Sequence, residues 1–329
     1  MDEILRVDNL KVYYYSAKRV VPAVDGVSFT LKKGEILGIV GESGCGKSTV
    51  VRGIIGLIDE RYTRIEAGQV LMEGKNLADL PPRELCRIRG KKISMIFQNP
   101  LSSLNPVYTI GSQIEEAILV HEKPSKAQLK ERVLELLKLV HIPAPEMRYN
   151  DYPHQLSGGM QQRVLIAIAL ACNPQVIIAD EPTTALDVTI QAQILELLRE
   201  LNEKMGVGVI FITHNMGVVA EMCDEMMVMY GGVVVEKGKC EEIFENPLHP
   251  YTRGLLAAIP SIKEDKEELF SIKGQVPVFA HPVTRCRFAD RCGLCEDRCL
   301  KGEPPLSVFS GREVRCLKAG HSEEEAHHG

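Results

Sequence analysis

The sequence lacks any run of about 18 or more apolar residues, so it offers no segment able to cross a bilayer as a helix. Its longest apolar candidate, Val164–Cys172, is far too short and reads as a buried helix. It also lacks an excess of positive charge. The net charge is −5, which leaves no basic footprint for nucleic acid. The start, Met1-Asp2-Glu3, has neither the basic residues nor the apolar core of a signal peptide, so the chain is expected to stay in the cytoplasm. What remains is an ordinary globular balance, 45% apolar and 25% charged. At 329 residues it is long enough for one large domain with a smaller one, or for two modest ones.

Five short apolar runs read as strands: Ile36–Val40, Ile93–Phe97, Val176–Asp180, Val209–Thr213 and Met226–Tyr230. They are continuous rather than alternating, as in strands covered on both faces. Helical patterns lie between them. Gln128–Val140 places Leu129, Val133, Leu136, Leu137 and Val140 on one face; Thr189–Lys204 places Ile190, Ile194, Leu197, Leu198 and Leu201 on one face. The alternation predicts a mostly parallel α/β sheet. A long helical stretch between the second and third strands reads as an inserted subdomain, about residues 99–168. After about residue 246 the pattern changes to Asn-Pro-Leu-His-Pro-Tyr, then a charged run, Lys263–Glu268, then Pro- and Cys-rich sequence. The expected domains are therefore 1–248 and 249–329. The end, Glu323–Gly329, reads as disordered.

Gly41-Glu42-Ser43-Gly44-Cys45-Gly46-Lys47-Ser48 matches G-x-x-x-x-G-K-[ST], directly after a strand and at the start of a helical run. Glycines let backbone N–H groups curl around an anion, and the helix start adds its positive dipole end. Lys47 is expected to reach the β- and γ-phosphates and Ser48 to offer its hydroxyl to Mg²⁺. Cys45 occupies a position that contributes backbone only. Val176–Asp180 ends in Asp180-Glu181, two acids where open α/β sheets bind ligands. Asp180 suits the Mg²⁺ shell and Glu181 suits a general base for water. Gln98 and His214 each follow a strand and are expected to face the γ-phosphate or its metal. Leu156-Ser157-Gly158-Gly159-Met160-Gln161 opens an apolar helix and makes a second anion cradle. Two such cradles are useful when two subunits pack head to tail, each capping the other's nucleotide.

In order, Gly41–Ser48, Gln98, Leu156–Gln161, Val176–Glu181, Ala185-Leu186-Asp187 and His214 resemble the ATP-binding subunits of ABC transporters. That resemblance implies a P-loop NTPase, RecA-like core, with an inserted helical subdomain and an antiparallel β subdomain at the N-terminus. It implies an ATP site of Tyr14, Gly41, Ser43, Gly44, Cys45, Gly46, Lys47, Ser48 and Thr49. Adenine would stack on Tyr14, with Tyr13 as the alternative, a contact of about 1–3 kcal/mol. It implies catalytic Glu181, His214 and Gln98, and Mg²⁺ held by Ser48, Gln98 and Asp180. Ser157, Gly158, Gly159 and Gln161 would serve a partner's ATP.

Phe97–Pro106, Asn246–Thr252 and the cysteine-bearing end are similar to the dipeptide and oligopeptide importer ATPases. This likeness implies ATP-driven peptide import at the cytoplasmic face of the membrane, as a peripheral subunit. The implied partners are two membrane permeases, a second related ATPase and an extracytoplasmic substrate-binding protein, with a homodimer as the form in isolation. Nickel importers share these features, and a soluble ABC-type ATPase outside transport is the other reading. Of the ten cysteines, Cys286, Cys292, Cys299 and Cys316 match the family spacing for a [4Fe–4S] cluster. Cys295 makes a Cys292-x-x-Cys295 pair, a spacing that zinc sites use, so zinc and the place of Cys295 stay open. A metal there would substitute for a core in a small Cys-rich C-terminal domain.

Overall fold

The computed structural model describes residues 2–17, 19–184, 186–259, 272–281 and 283–319. Ala185, the run Lys263–Glu268 and the end Glu323–Gly329 lie outside them. Two compact units divide the chain. One comprises residues 1–5, 31–35 and 79–211; the other comprises 6–30, 36–78 and 212–329.

In the first unit the strands Ile93–Ile96 and Val176–Asp180 run parallel, with Ile93 opposite Val176 and Ile96 opposite Ala179. Gly208–Thr213 is the next strand beside Val176–Asp180. All three follow the predicted runs within a residue, because strands covered on both faces are apolar throughout. The helices Ile110–Leu119, Lys126–Leu139 and Gly158–Leu170 pack on one another. Each has a side-chain cap at its start: Thr109 for Ile110–Leu119, a Ser125/Gln128 capping box for Lys126–Leu139, and Ser157 for Gly158–Leu170. Gly158–Leu170 is apolar almost all round because it also packs on Ile93–Ile96 and on the helix Val188–Met205. Val188–Met205 starts at the Asp187 cap and stops at Gly206, whose φ of +63° suits glycine.

A four-stranded sheet, most of whose residues belong to the second unit, has the order Arg19–Lys32, Glu3–Ser16, Thr63–Met72, Lys75–Asn76. Glu3–Ser16 pairs antiparallel with Thr63–Met72, as does Thr63–Met72 with Lys75–Asn76, which makes the expected antiparallel N-terminal sheet. A second layer has the order Ser307–Phe309, Arg312–Val314, Val233–Lys239, Glu225–Tyr230, Ile36–Val40. Ile36–Val40 is parallel to Glu225–Tyr230, with Val40 opposite Val228; the remaining pairs are antiparallel. The Cys-rich end thus contributes a hairpin to this sheet, with Val314 opposite Glu236.

Glu236 is fully buried and explains the Asn246–Thr252 segment. Its carboxylate accepts from the N–H groups of Leu248 and His249, both at 2.9 Å, and faces Arg312 at 3.5 Å. His249 then caps the helix Pro250–Ala257, its Nδ1 accepting from the Tyr251 N–H at 3.0 Å. Burial, aided by nearby Arg253, pushes the His249 imidazole down from 6.5 to about 3. The unfolded chain takes up this proton below pH 6.5, whereas the folded one resists until about pH 3. Stability is therefore complete above 6.5 and falls as the pH drops towards 3. Between pH 7 and 5 the expected loss is about 2 kcal/mol. Thermal melts at both pH values check this: His249→Asn keeps a capping oxygen without titrating, and an unchanged pH slope in that variant would exclude His249 as the source.

Candidate nucleotide site

The phosphate loop lies in the second unit, between the strand Ile36–Val40 and the helix Lys47–Ile54. Its glycines are dictated by close approach. A Cβ on Gly41, at φ +149°, would stand 2.3 Å from the Met229 carbonyl oxygen. One on Gly46, at φ +109°, would stand 2.3 Å from that of Ala23. Lys47 is only 6% exposed and folds back over the loop, its Nζ donating to the carbonyls of Gly41 (2.8 Å) and Glu42 (3.1 Å). An ammonium that closes a ring of backbone over a helix start is a preformed anion seat. Cys45 is buried beneath it, and burial raises its thiol above its ordinary value. Its carbonyl accepts from the Gly232 N–H at 2.9 Å, and its Sγ lies 4.0 Å from Lys47 Nζ.

The two candidate tyrosines are distinguished by their partners. The Tyr14 hydroxyl lies 3.1 Å from Thr49 Oγ1, on the helix that leaves the loop. Tyr13, on the opposite face of the strand, donates to Asp25 at 2.9 Å. Burial and that hydrogen bond push the Tyr13 phenol up to about 12. Asp25 is also held by Lys11 and by the buried Arg287. Burial alone would raise the Asp25 carboxyl, but those partners outweigh it and lower it. Tyr13 is thus committed to a structural charge cluster and Tyr14 is beside the loop.

The candidate catalytic carboxylate, Glu181, lies in the first unit. Register places Gln98 and Glu181 two residues beyond a paired position, Ile96 opposite Ala179. Gln98 Nε2 donates to Glu181 Oε2 at 2.8 Å. Thr184 Oγ1 donates to the same oxygen at 2.9 Å. Glu181 sits at φ +48°, an unfavourable region for a residue with a Cβ, and these two donors fix it there. Asp180 ends the strand and is 5% exposed. Thr184 was not a sequence candidate. Its only signal is its place three residues after Glu181, where a turn returns a hydroxyl to the acid.

Ser157 caps the helix Gly158–Leu170, its Oγ accepting from the Met160 N–H at 3.4 Å. Ser157 and Gly158 are exposed. Gly159 is buried, and a Cβ there would stand 2.6 Å from Cγ2 of Ile190. The glycine thus lets this helix start sit against the start of Val188–Met205. Gln161 differs from its expected role. It is buried, and its Nε2 donates inward to the carbonyls of Pro153 (2.9 Å) and Leu156 (3.2 Å). It braces the approach to the helix and does not share the exposed surface of Ser157. His214, in the second unit, is exposed, and Asn215 beside it caps Met216–Met222.

Cys286, Cys292, Cys295, Cys299 and Cys316 all line one cavity with His249, Phe288 and Leu294. Burial pushes the Cys286 thiol up to about 11 and that of Cys292 to about 12, and raises Cys295 and Cys316. Among the described residues, no three His, Cys, Asp or Glu side chains stand close enough to hold a metal ion. The five thiols share a cavity without forming a ligand set in this structure. Among the described residues no helix is long and apolar enough to cross a membrane.

Two family models match the chain: "ABC transporter" over residues 24–184 and "Oligopeptide/dipeptide transporter, C-terminal region" over residues 235–299. An oligopeptide transport ATP-binding protein of Bacillus subtilis, AppD, is 48% identical over 96% of this chain and 97% of its own length. The chain belongs to the ABC transporter ATP-binding family. A dipeptide transport ATP-binding protein of Haemophilus influenzae, DppD, is likewise 48% identical, over 95% of this chain and 94% of its own. Among solved structures, the dimeric post-hydrolysis state of the ATP-binding cassette MJ0796 bound to ADP and Pi matches with a TM-score of 0.64. It is 34% identical and covers 72% of this chain and 99% of its own. As an ABC ATP-binding subunit, the chain is an ATPase coupled to transport, and its ABC ATPase core is mixed α/β with an antiparallel N-terminal sheet.

Proposed function

We propose that this ABC ATPase powers the import of short peptides, from the cytoplasmic face of the membrane, as a peripheral subunit. The observation that supports the cargo is likeness beyond the shared motor. Relatives named for oligopeptide and dipeptide transport match nearly the whole chain, and the match includes residues 235–299. The partners are two membrane permeases, a second related ATPase and an extracytoplasmic substrate-binding protein. The nucleotide-binding domain is 1–248, with a helical subdomain about 99–168, and 249–329 is the peptide-importer element.

ATP is held by Gly41, Ser43, Gly44, Cys45 and Gly46 through backbone, by Lys47, Ser48 and Thr49, and by adenine stacking on Tyr14. The buried Asp180 carboxylate, the Ser48 hydroxyl and the Gln98 amide are the hard donors for Mg²⁺, which supplies charge neutralisation to the phosphates. Glu181, aligned by Gln98 and Thr184, takes the proton from the attacking water, and His214 donates to the γ-phosphate. Ser157, Gly158 and Gly159 serve a partner's ATP, while Gln161 holds the loop before them. Catalysis is positioning with charge stabilisation.

Cys286, Cys292, Cys299 and Cys316 bind a [4Fe–4S] cluster in this reading, with zinc as the alternative. The support is donor chemistry: the four thiols line one cavity. Binding would draw them together and deprotonate them. The test is reconstitution with permeases and binding protein from an anaerobic preparation assayed for iron and sulfide. Di- to pentapeptides should stimulate ATP hydrolysis; stimulation by nickel alone would overturn the cargo, and absent iron would overturn the cluster.

A further inference from the structure

Glu42, inside the phosphate loop, is held at three points. Its N–H donates to the Tyr251 hydroxyl at 2.9 Å, and its carbonyl accepts from Lys47 at 3.1 Å. Its carboxylate accepts a two-pronged contact from Arg291, at 2.7 and 3.0 Å. Arg291 is itself fixed. Its side chain is 6% exposed, and it donates to the carbonyls of Ile272 (3.3 Å), Lys273 (2.8 Å) and Gly274 (3.2 Å). Its guanidinium lies 5.7 Å from the Tyr230 ring centre. Tyr230, Tyr251 and Phe288 pack edge to face or tilted, with centres 4.8 to 5.4 Å apart, which fixes the Tyr251 hydroxyl.

This arrangement answers an electrostatic difficulty. A carboxylate in a loop that receives a polyphosphate repels its ligand. A buried guanidinium in fork geometry both cancels that charge and fixes its direction. We propose that Arg291 and Tyr251 are positioning residues of the ATP site, acting through Glu42, so that the segment after residue 248 sets the affinity of the phosphate loop for nucleotide. This rests on the reading of Gly41–Ser48 as the ATP site.

The test measures binding of a fluorescent ATP analogue by the full chain, and KM and kcat for ATP in the assembled transporter. Arg291→Ala should raise Kd and KM about tenfold with kcat within about twofold, the loss of one charge-assisted pair. Arg291→Lys should recover part of the affinity, since it restores charge but not the fork. Tyr251→Phe should weaken binding by a few-fold. Glu42→Gln combined with Arg291→Ala should bind better than Arg291→Ala alone, because the uncancelled charge is gone. Wild-type affinity in Arg291→Ala, or a double variant weakened by the product of the two single effects, would overturn the proposal. Should Arg291→Ala not fold, Arg291→Lys and Glu42→Gln decide it: wild-type affinity in both overturns it. A wild-type chain that binds no ATP analogue would instead overturn the ATP-site reading, and Lys47→Ala provides the non-binding reference.

Discussion

Glu181→Gln is expected to slow ATP hydrolysis by about 10²-fold or more, the range lost with a general base, while ATP binding stays near wild type. The substitution keeps the size of the side chain and an oxygen that can accept from Gln98 Nε2 and Thr184 Oγ1. It removes the second oxygen's ability to take a proton. The positive φ of Glu181 is equally tolerable for glutamine, so the backbone turn should survive. Two readouts separate chemistry from binding: phosphate release should fall, and size-exclusion in Mg-ATP should show a longer-lived dimer. Hydrolysis at the normal rate would remove Glu181 from the mechanism. Thr184→Val should lie between the two, because it frees one hydrogen bond to the acid and leaves the carboxylate in place.

Gly46→Ala should weaken ATP binding far more than Gly44→Ala. Both glycines have positive φ, +109° and +80°, so both substitutions carry backbone strain of roughly 1–2 kcal/mol. Only Gly46 adds a collision, with its Cβ 2.3 Å from the Ala23 carbonyl oxygen; the Gly44 Cβ would meet nothing within 4 Å. Backbone at such a distance cannot rotate away as a side chain tip can. The loop must shift, and the Lys47 bridge to Gly41 and Glu42 shifts with it. An added loss of about tenfold or more in affinity for Gly46→Ala over Gly44→Ala is expected, equivalent to about 1.4 kcal/mol. Equal affinities in titrations of a fluorescent ATP analogue would show that this close approach does not shape the seat.

Much of this was legible in the sequence for local reasons. A strand covered on both faces is apolar throughout, so Ile36–Val40 and Val176–Asp180 appear at their observed limits. The phosphate loop is one contiguous segment whose glycines are demanded by its own geometry. What sequence could not give depends on distant partners. Arg291 and Glu42 are 249 positions apart and neither has a periodic or motif signal for the other. Gln161 stands next to Ser157 and two glycines in sequence, yet its amide is buried against the carbonyls of Pro153 and Leu156, partners that lie before the helix and carry no motif signal for it. The four cysteines singled out by spacing line one cavity together with Cys295, but spacing could not report how near they come.

The hairpin Ser307–Phe309/Arg312–Val314 has a consequence for production of the protein. Without it, Val233–Lys239 would present unpaired N–H and C=O groups beside Val233, Val234 and Val235, a template for recruiting strands of other molecules. With it, the open border moves to Ser307–Phe309, three residues long and ending in a turn, too short to recruit efficiently. Chains cut before residue 307 should therefore aggregate as they are expressed, through a sheet border left open, even where every residue of the phosphate loop is retained.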